Sequence, residues 1–262
     1  MSAISSMPTP REGNRSYLLR LWLPALAFIA FLLVIFVAAL TSGDPDRVVP
    51  VAIALPVGLA AWWLNRWTMR RRMDRMFRSP DPTRQIRWFE STIRRSRVAH
   101  GPLFAASNAA TILALYGRFD EAESALQSVS CQNAPPIVLA IESTARAVLA
   151  YARGALTDGL DYATEATLLG ITDSAFPGSQ TSELALRTHR NLGLALAGRA
   201  TTTTADELRT ALTRLPPLGQ LLAAWGLAAI AKQNGDEQER EAMRQLIVKR
   251  APHFAPVLAS IA

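Results

Sequence analysis

Four stretches decide the fold: LALYGRFDEAESAL (113–126), LAYARGALTDGLDYA (149–163), LALAGRATTTTADELRTAL (194–212) and AAIAKQNGDEQEREAM (228–243). In each, an alanine- and leucine-rich run reaches a glycine, and a second run rich in acids and alanine follows. The glycines are Gly117, Gly154, Gly198 and Gly235, spaced 37, 44 and 37 residues apart. Glycine suits that place because a chain leaving a helix tightly passes through left-handed backbone, which a Cβ penalises. Alanine suits the helices because close packing needs small side chains between them. One hairpin cannot bury its apolar face alone, so neighbours must stack, which predicts an all-α solenoid of about four helical hairpins.

Outward from these stretches the same reading continues. After Pro82 no segment alternates with the period of a strand, so residues 83–262 read as one helical-repeat domain. A leading helix is expected at about 84–98, with Ile86, Phe89 and Ile93 on one face and Trp88 beside them. His100-Gly101-Pro102, Ala134-Pro135-Pro136, Phe176-Pro177-Gly178 and Leu215-Pro216-Pro217 punctuate the pairs. The insertion GITDSAFPGSQT (170–181) lengthens the connection after the second hairpin. The GDEQERE run (235–241) opens a final long helix with acids at its N-terminus, where they complement the helix dipole.

The N-terminal third has a different character. Residues 1–100 hold 15 Arg and 6 acids, whereas residues 101–262 hold 13 Lys and Arg against 15 acids, so the net charge of +7 belongs to the first third. Residues 21–40 carry no charge and include 13 Leu, Ile, Phe or Val, enough for a helix to cross a hydrocarbon core of about 30 Å. A weaker uncharged stretch, 48–64, contains Pro50 and Pro56. Together they predict a transmembrane hairpin over 17–67, with helices about 17–41 and 48–67, after a cytoplasmic tail at 1–16. Trp62, Trp63, Arg66, Trp67, Arg70, Arg71, Arg72, Arg75 and Arg78 mark its membrane–water boundary. Only Arg47 lies in the connecting loop, so basic-residue counting places both termini in the cytoplasm of an inner or plasma membrane. A cleaved signal peptide is the alternative, opposed by the long apolar core and the lack of a clean small-x-small site. Residues 68–82 read as a basic amphipathic juxtamembrane segment, with Met69, Met73, Met76 and Phe77 on one face directed at the membrane surface and arginines suited to anionic lipids opposite.

Tyr116-Gly117-Arg118-Phe119-Asp120-Glu121-Ala122 with Leu126 resembles the second half of a tetratricopeptide repeat (TPR), and Leu192-Gly193 and Trp225-Gly226 resemble fragments of its first-helix signature. The likeness covers roughly residues 100–262; the spacing exceeds that family's 34 residues and also fits solenoids of the HEAT type. The resemblance implies a face, lined by the first helix of each pair, that binds a peptide or helix. Helical spacing offers Asn108, Thr111, Thr144, Tyr151, Arg187, Arg190 and Asn191 for it, with Arg187 and Arg190 three apart as a candidate carboxylate clamp.

No catalytic constellation is present: the chain has no Gly-rich phosphate loop, no GxSxG, no HExxH and no CxxC. Cys131 is the single cysteine, without a nearby histidine, and His189 has no second ligand at i+3 or i+4. No enzyme, cofactor, metal or nucleic-acid interaction is therefore expected. The expected function is a membrane-anchored adaptor or scaffold acting through protein–protein interaction. The alternative is a structural subunit, homo- or hetero-oligomeric, assembling through its transmembrane hairpin. Abundant alanine with 26 Arg against 2 Lys suggests a bacterial chain.

Overall fold

The computed structural model describes residues 10–15, 71–96, 98–172 and 178–262, with isolated positions between 18 and 68. All regular structure among them is helical. Contacts divide the chain into two units, residues 1–15 with 74–262, and residues 16–73.

The larger unit is the repeat domain. A leading helix α1 (Thr83–Ser96) packs on the first of four helical hairpins: α2 (Gly101–Leu115) with α3 (Phe119–Gln127), α4 (Pro136–Arg153) with α5 (Leu156–Leu169), α6 (Ser179–Leu196) with α7 (Thr202–Arg214), and α8 (Pro217–Asn234) with α9 (Glu237–Arg250). Each first helix packs on its own second helix and on the first helix of the next hairpin. The four turn glycines have φ of 78°, 83°, 69° and 70°, the left-handed exit read from their spacing. Proline opens α4 and α8 at a position where its missing N–H is not needed. Thr201 and Thr204 cap α7 reciprocally, and the Asp236 carboxylate accepts from the Glu239 N–H at the start of α9.

The expected final long helix stops at Arg250, because Pro252 cannot continue it. A turn leads to a seven-residue helix, α10 (Ala255–Ile261).

Two further expectations are corrected. Residues 10–15, read as part of the tail at 1–16, are helical and group with the repeat unit. The fully buried Asn14 amide donates to the carbonyls of Leu169 (2.6 Å) and Ile171 (2.9 Å) and accepts from the Ile137 N–H (2.5 Å). Pro135 gives α4 no side-chain cap, so Asn14 meets backbone groups that the ends of α4 and α5 leave unpaired. In the basic segment, Met76 and Phe77 turn into the protein, not onto a membrane surface. Phe77 is fully buried, edge to face with Phe254 at 5.8 Å. Arg71, Arg72, Arg75 and Arg78 stay exposed.

Of unit 16–73 only scattered positions are described. Among them Trp63 and Trp67 stack at 6.5 Å, and the Arg71 guanidinium lies 3.7 Å from the Trp67 ring centre. Among the described residues no helix is long and apolar enough to cross a membrane. The two uncharged stretches read as spans lie almost wholly outside the described residues, as do Trp62, Arg66 and Arg70.

Candidate partner-binding face

The first helices form a row, each packed on the next, and α10 lies across it. This short helix touches α2, α4 and α8 and therefore bridges the first helices of hairpins one, two and four.

Three buried apolar side chains hold that segment: Phe254, Val257 and Ile261. Phe254 meets Tyr116, at the end of α2, edge to face at 5.4 Å, and Pro256 lies against Gly117. The Tyr116 hydroxyl donates to the Ser79 carbonyl at 2.6 Å, and burial pushes its pKa up to about 12. At the other end, Trp225 Nε1 donates to Ser260 Oγ (2.8 Å) and Lys232 Nζ donates to the carbonyls of Ser260 (3.2 Å) and Ala262 (2.7 Å). These carbonyls belong to the helix's C-terminal end, where the dipole favours a cation. Arg250 ties the preceding turn to Asp74 (2.6 Å) and to Gln220 at the start of α8 (2.6 Å). Beside Ser260 a cavity of about 540 Å³ remains, lined by Tyr151, Leu196, Trp225, Lys232 and Gln233 among others.

The residues singled out for the face are dispersed. Thr111 and Thr144 are buried, their hydroxyls spent on the Ser107 and Ile141 carbonyls of their own helices, and Asn108 likewise bonds the Phe104 carbonyl. Tyr151 reaches from α4 between Gly159 of α5 and Gly193 of α6, and its hydroxyl donates to the His189 carbonyl at 3.1 Å. A Cβ on either glycine would run into the Tyr151 side chain. Arg187 lies 3.7 Å from both Glu183 and Glu207, and Asn191 donates to Glu207 at 2.6 Å, so this pair serves the α6–α7 contact. Arg190 is exposed. Of the seven, Tyr151 alone lines the cavity beside α10.

Sequence reasoning missed Tyr116, Trp225 and Lys232 as the groups that engage a helix on this face. The available signal was the Phe254, Val257, Ile261 spacing after a proline break.

Chemically, the face offers aromatic and aliphatic seats with one cation at the end. Burial and the Glu142 charge push the Cys131 thiol above its usual range, away from the reactive thiolate. Burial pulls His189 below the usual imidazole range, although its Nδ1–H donates to the Ala185 carbonyl. Among the described residues no group of three or more His, Cys, Asp or Glu side chains is placed to hold a metal ion.

Fold and face together define a stack of helical hairpins whose first-helix face receives a short helix. Compared with protein-family models, curated proteins and solved structures, the chain matches none.

Proposed function

We propose that the protein is a membrane-anchored helical-repeat adaptor, similar to tetratricopeptide-repeat proteins, whose first-helix face holds a protein segment beside the bilayer. The observation that carries this reading is the seat of α10: a face that buries Phe254, Val257 and Ile261 and ends on Lys232 has the chemistry to hold a helix.

The anchor rests on the uncharged stretches 21–40 and 48–64. Support comes from helical positions in unit 16–73 that expose large apolar side chains, Leu23 at 63%, Val34 at 65% and Trp63 at 62%. Water disfavours such positions and a lipid environment favours them. Both termini face the cytoplasm, and each exposed arginine at 71–78 adds about 1 kcal/mol of attraction to an anionic leaflet. Anchoring raises a partner's effective concentration near the membrane, so modest affinity suffices.

Alkaline washing of membranes should leave the protein in the pellet, and a reporter fused after Ala262 should read as cytoplasmic. Release into the wash would overturn the anchor, and a periplasmic signal the orientation. For the face, in-cell crosslinking compares the intact chain with Lys232→Glu and with Arg187→Glu/Arg190→Glu. A partner lost only with Lys232→Glu assigns the first-helix face; one lost only with the arginine pair moves the site to α6.

A further inference from the structure

Like the leading helix α1, α10 lies outside the four hairpins, so its removal would leave both helices of each hairpin in place. It is joined to α9 by a single turn, 251–254, and seven residues form only a marginal helix by themselves. Its hold on the repeat is local: Phe254 against Phe77 and Tyr116, Val257 and Ile261 buried, and Ser260 bonded to Trp225 and Lys232. Residues 255–261 carry no charge; Ala255, Pro256, Leu258, Ala259 and Ser260 separate the buried ones, with Pro256 and Leu258 half-buried. The seat therefore reads a pattern: an aromatic residue, aliphatic residues three and seven further on, uncharged residues between, and a helix end whose carbonyls meet a lysine.

We propose that α10 is a resident, displaceable ligand of the first-helix face. The face's partner is an amphipathic helix of the same pattern, aromatic at i and aliphatic at i+3 and i+7, that binds by taking the place of residues 254–261. This rests on the adaptor reading and deepens it: a vacant face would bind such helices at once, whereas the occupied face admits only those that outcompete a tethered segment. Occupation by its own chain reduces the apparent affinity by the fraction of time the face is open. The specificity is steric and electrostatic together. A charge at the Val257 or Ile261 position would be buried without a partner, and an acidic helix end would suit Lys232 while a basic one would not.

The test uses the full-length chain in detergent micelles. In hydrogen exchange of the wild type, amides 257–261 should exchange at least about 100-fold faster than amides 222–228 of α8, because α10 opens without the repeat unfolding. A fluorescein-labelled peptide of residues 253–262 is then titrated into the wild type and into Val257→Asp/Ile261→Asp. The variant, with its resident segment weakened, should bind the peptide at least about 10-fold more tightly than the wild type. Should that variant lose its helical circular dichroism, Val257→Ala/Ile261→Ala, which weakens the resident segment and leaves the face's own residues unchanged, takes its place with the same expected direction. Exchange of 257–261 in step with α8 makes α10 a fixed part of the core and overturns the inference, while an adaptor working through another face survives. Fast exchange with no tighter peptide binding also overturns it, and in that case removes the first-helix face from the adaptor reading as well.

Discussion

The helices α8 and α9 are joined by one turn and differ in nearly everything else. Eleven of the 18 residues of α8 are buried, Trp225 among them, whereas α9 buries Ile247 alone among 14. The first hairpin repeats the contrast, with eleven buried residues in α2 and two, Ala122 and Leu126, in α3. Position in the layers explains it. α8 is covered by α6, α7, α9 and α10 and is apolar around its circumference, while α9 packs on α8 and α10 and turns most of its charges outward. On that outer side the charges link neighbouring hairpins, Arg153 of α4 reaching Glu123 of α3 at 2.9 Å and Arg209 of α7 reaching Glu239 of α9 at 3.1 Å. Exposed pairs of this kind contribute little each, so stability lies with the inner row.

The sharpest break of this contrast is Trp225→Ala, expected to cost about 3–5 kcal/mol in urea unfolding, against less than about 0.5 kcal/mol for Val248→Ala on the exposed side of α9. Equal losses would mean that the inner row does not carry the fold. Next comes Asn14→Ala, which strands buried backbone groups at the ends of α4 and α5 and should cost about 1–3 kcal/mol; a neutral result would detach residues 10–15 from the repeat unit. Gly193→Ala is expected to lose a similar amount, about 1–3 kcal/mol, through collision with Tyr151. A double-mutant cycle with Tyr151→Phe, which removes the nearest atom, should recover part of that loss. A Cβ at the turn glycine Gly154 meets nothing within 4 Å, so Gly154→Ala isolates left-handed strain at about 1–2 kcal/mol.

The smallest effect is a pH dependence. The native state disfavours protonation of His189, so its contribution is intact above the unfolded imidazole value of about 6.5 and is lost as pH falls below it toward the lowered native value. The unfolding midpoint should drop between pH 7 and 5, and His189→Gln should flatten that slope. An unchanged slope would place His189 in a solvated site.

The hairpin register was legible because its signal is local. Gly117, Gly154, Gly198 and Gly235 each specify a backbone conformation at one residue, and the prolines at the starts of α4 and α8 do the same. Tyr151 was legible as a first-helix residue of interest but not as the wedge between Gly159 and Gly193, because the closeness of α4, α5 and α6 is not encoded at any one of them. Arg187 and Arg190 shared a helical face in projection, yet Arg187 is drawn to Glu207 on α7, since electrostatic pairing is settled by which helix lies alongside.

By itself the sequence determined the helices, their glycine exits, the four-hairpin order, and the division between a basic apolar first third and a neutral repeat domain. These follow from backbone propensity and from burial periodicity, both of which act over a few residues. Tertiary structure alone decided what the short apolar faces meet. The pattern of Met76 and Phe77, like that of Phe254, Val257 and Ile261, requires only removal from water, which a bilayer or a protein surface satisfies equally. Phe77 met Phe254, α10 met the row of first helices, and Asn14 met α4 and α5 because complementary shapes and unpaired backbone groups, far apart in the chain, came together only once the hairpins had stacked.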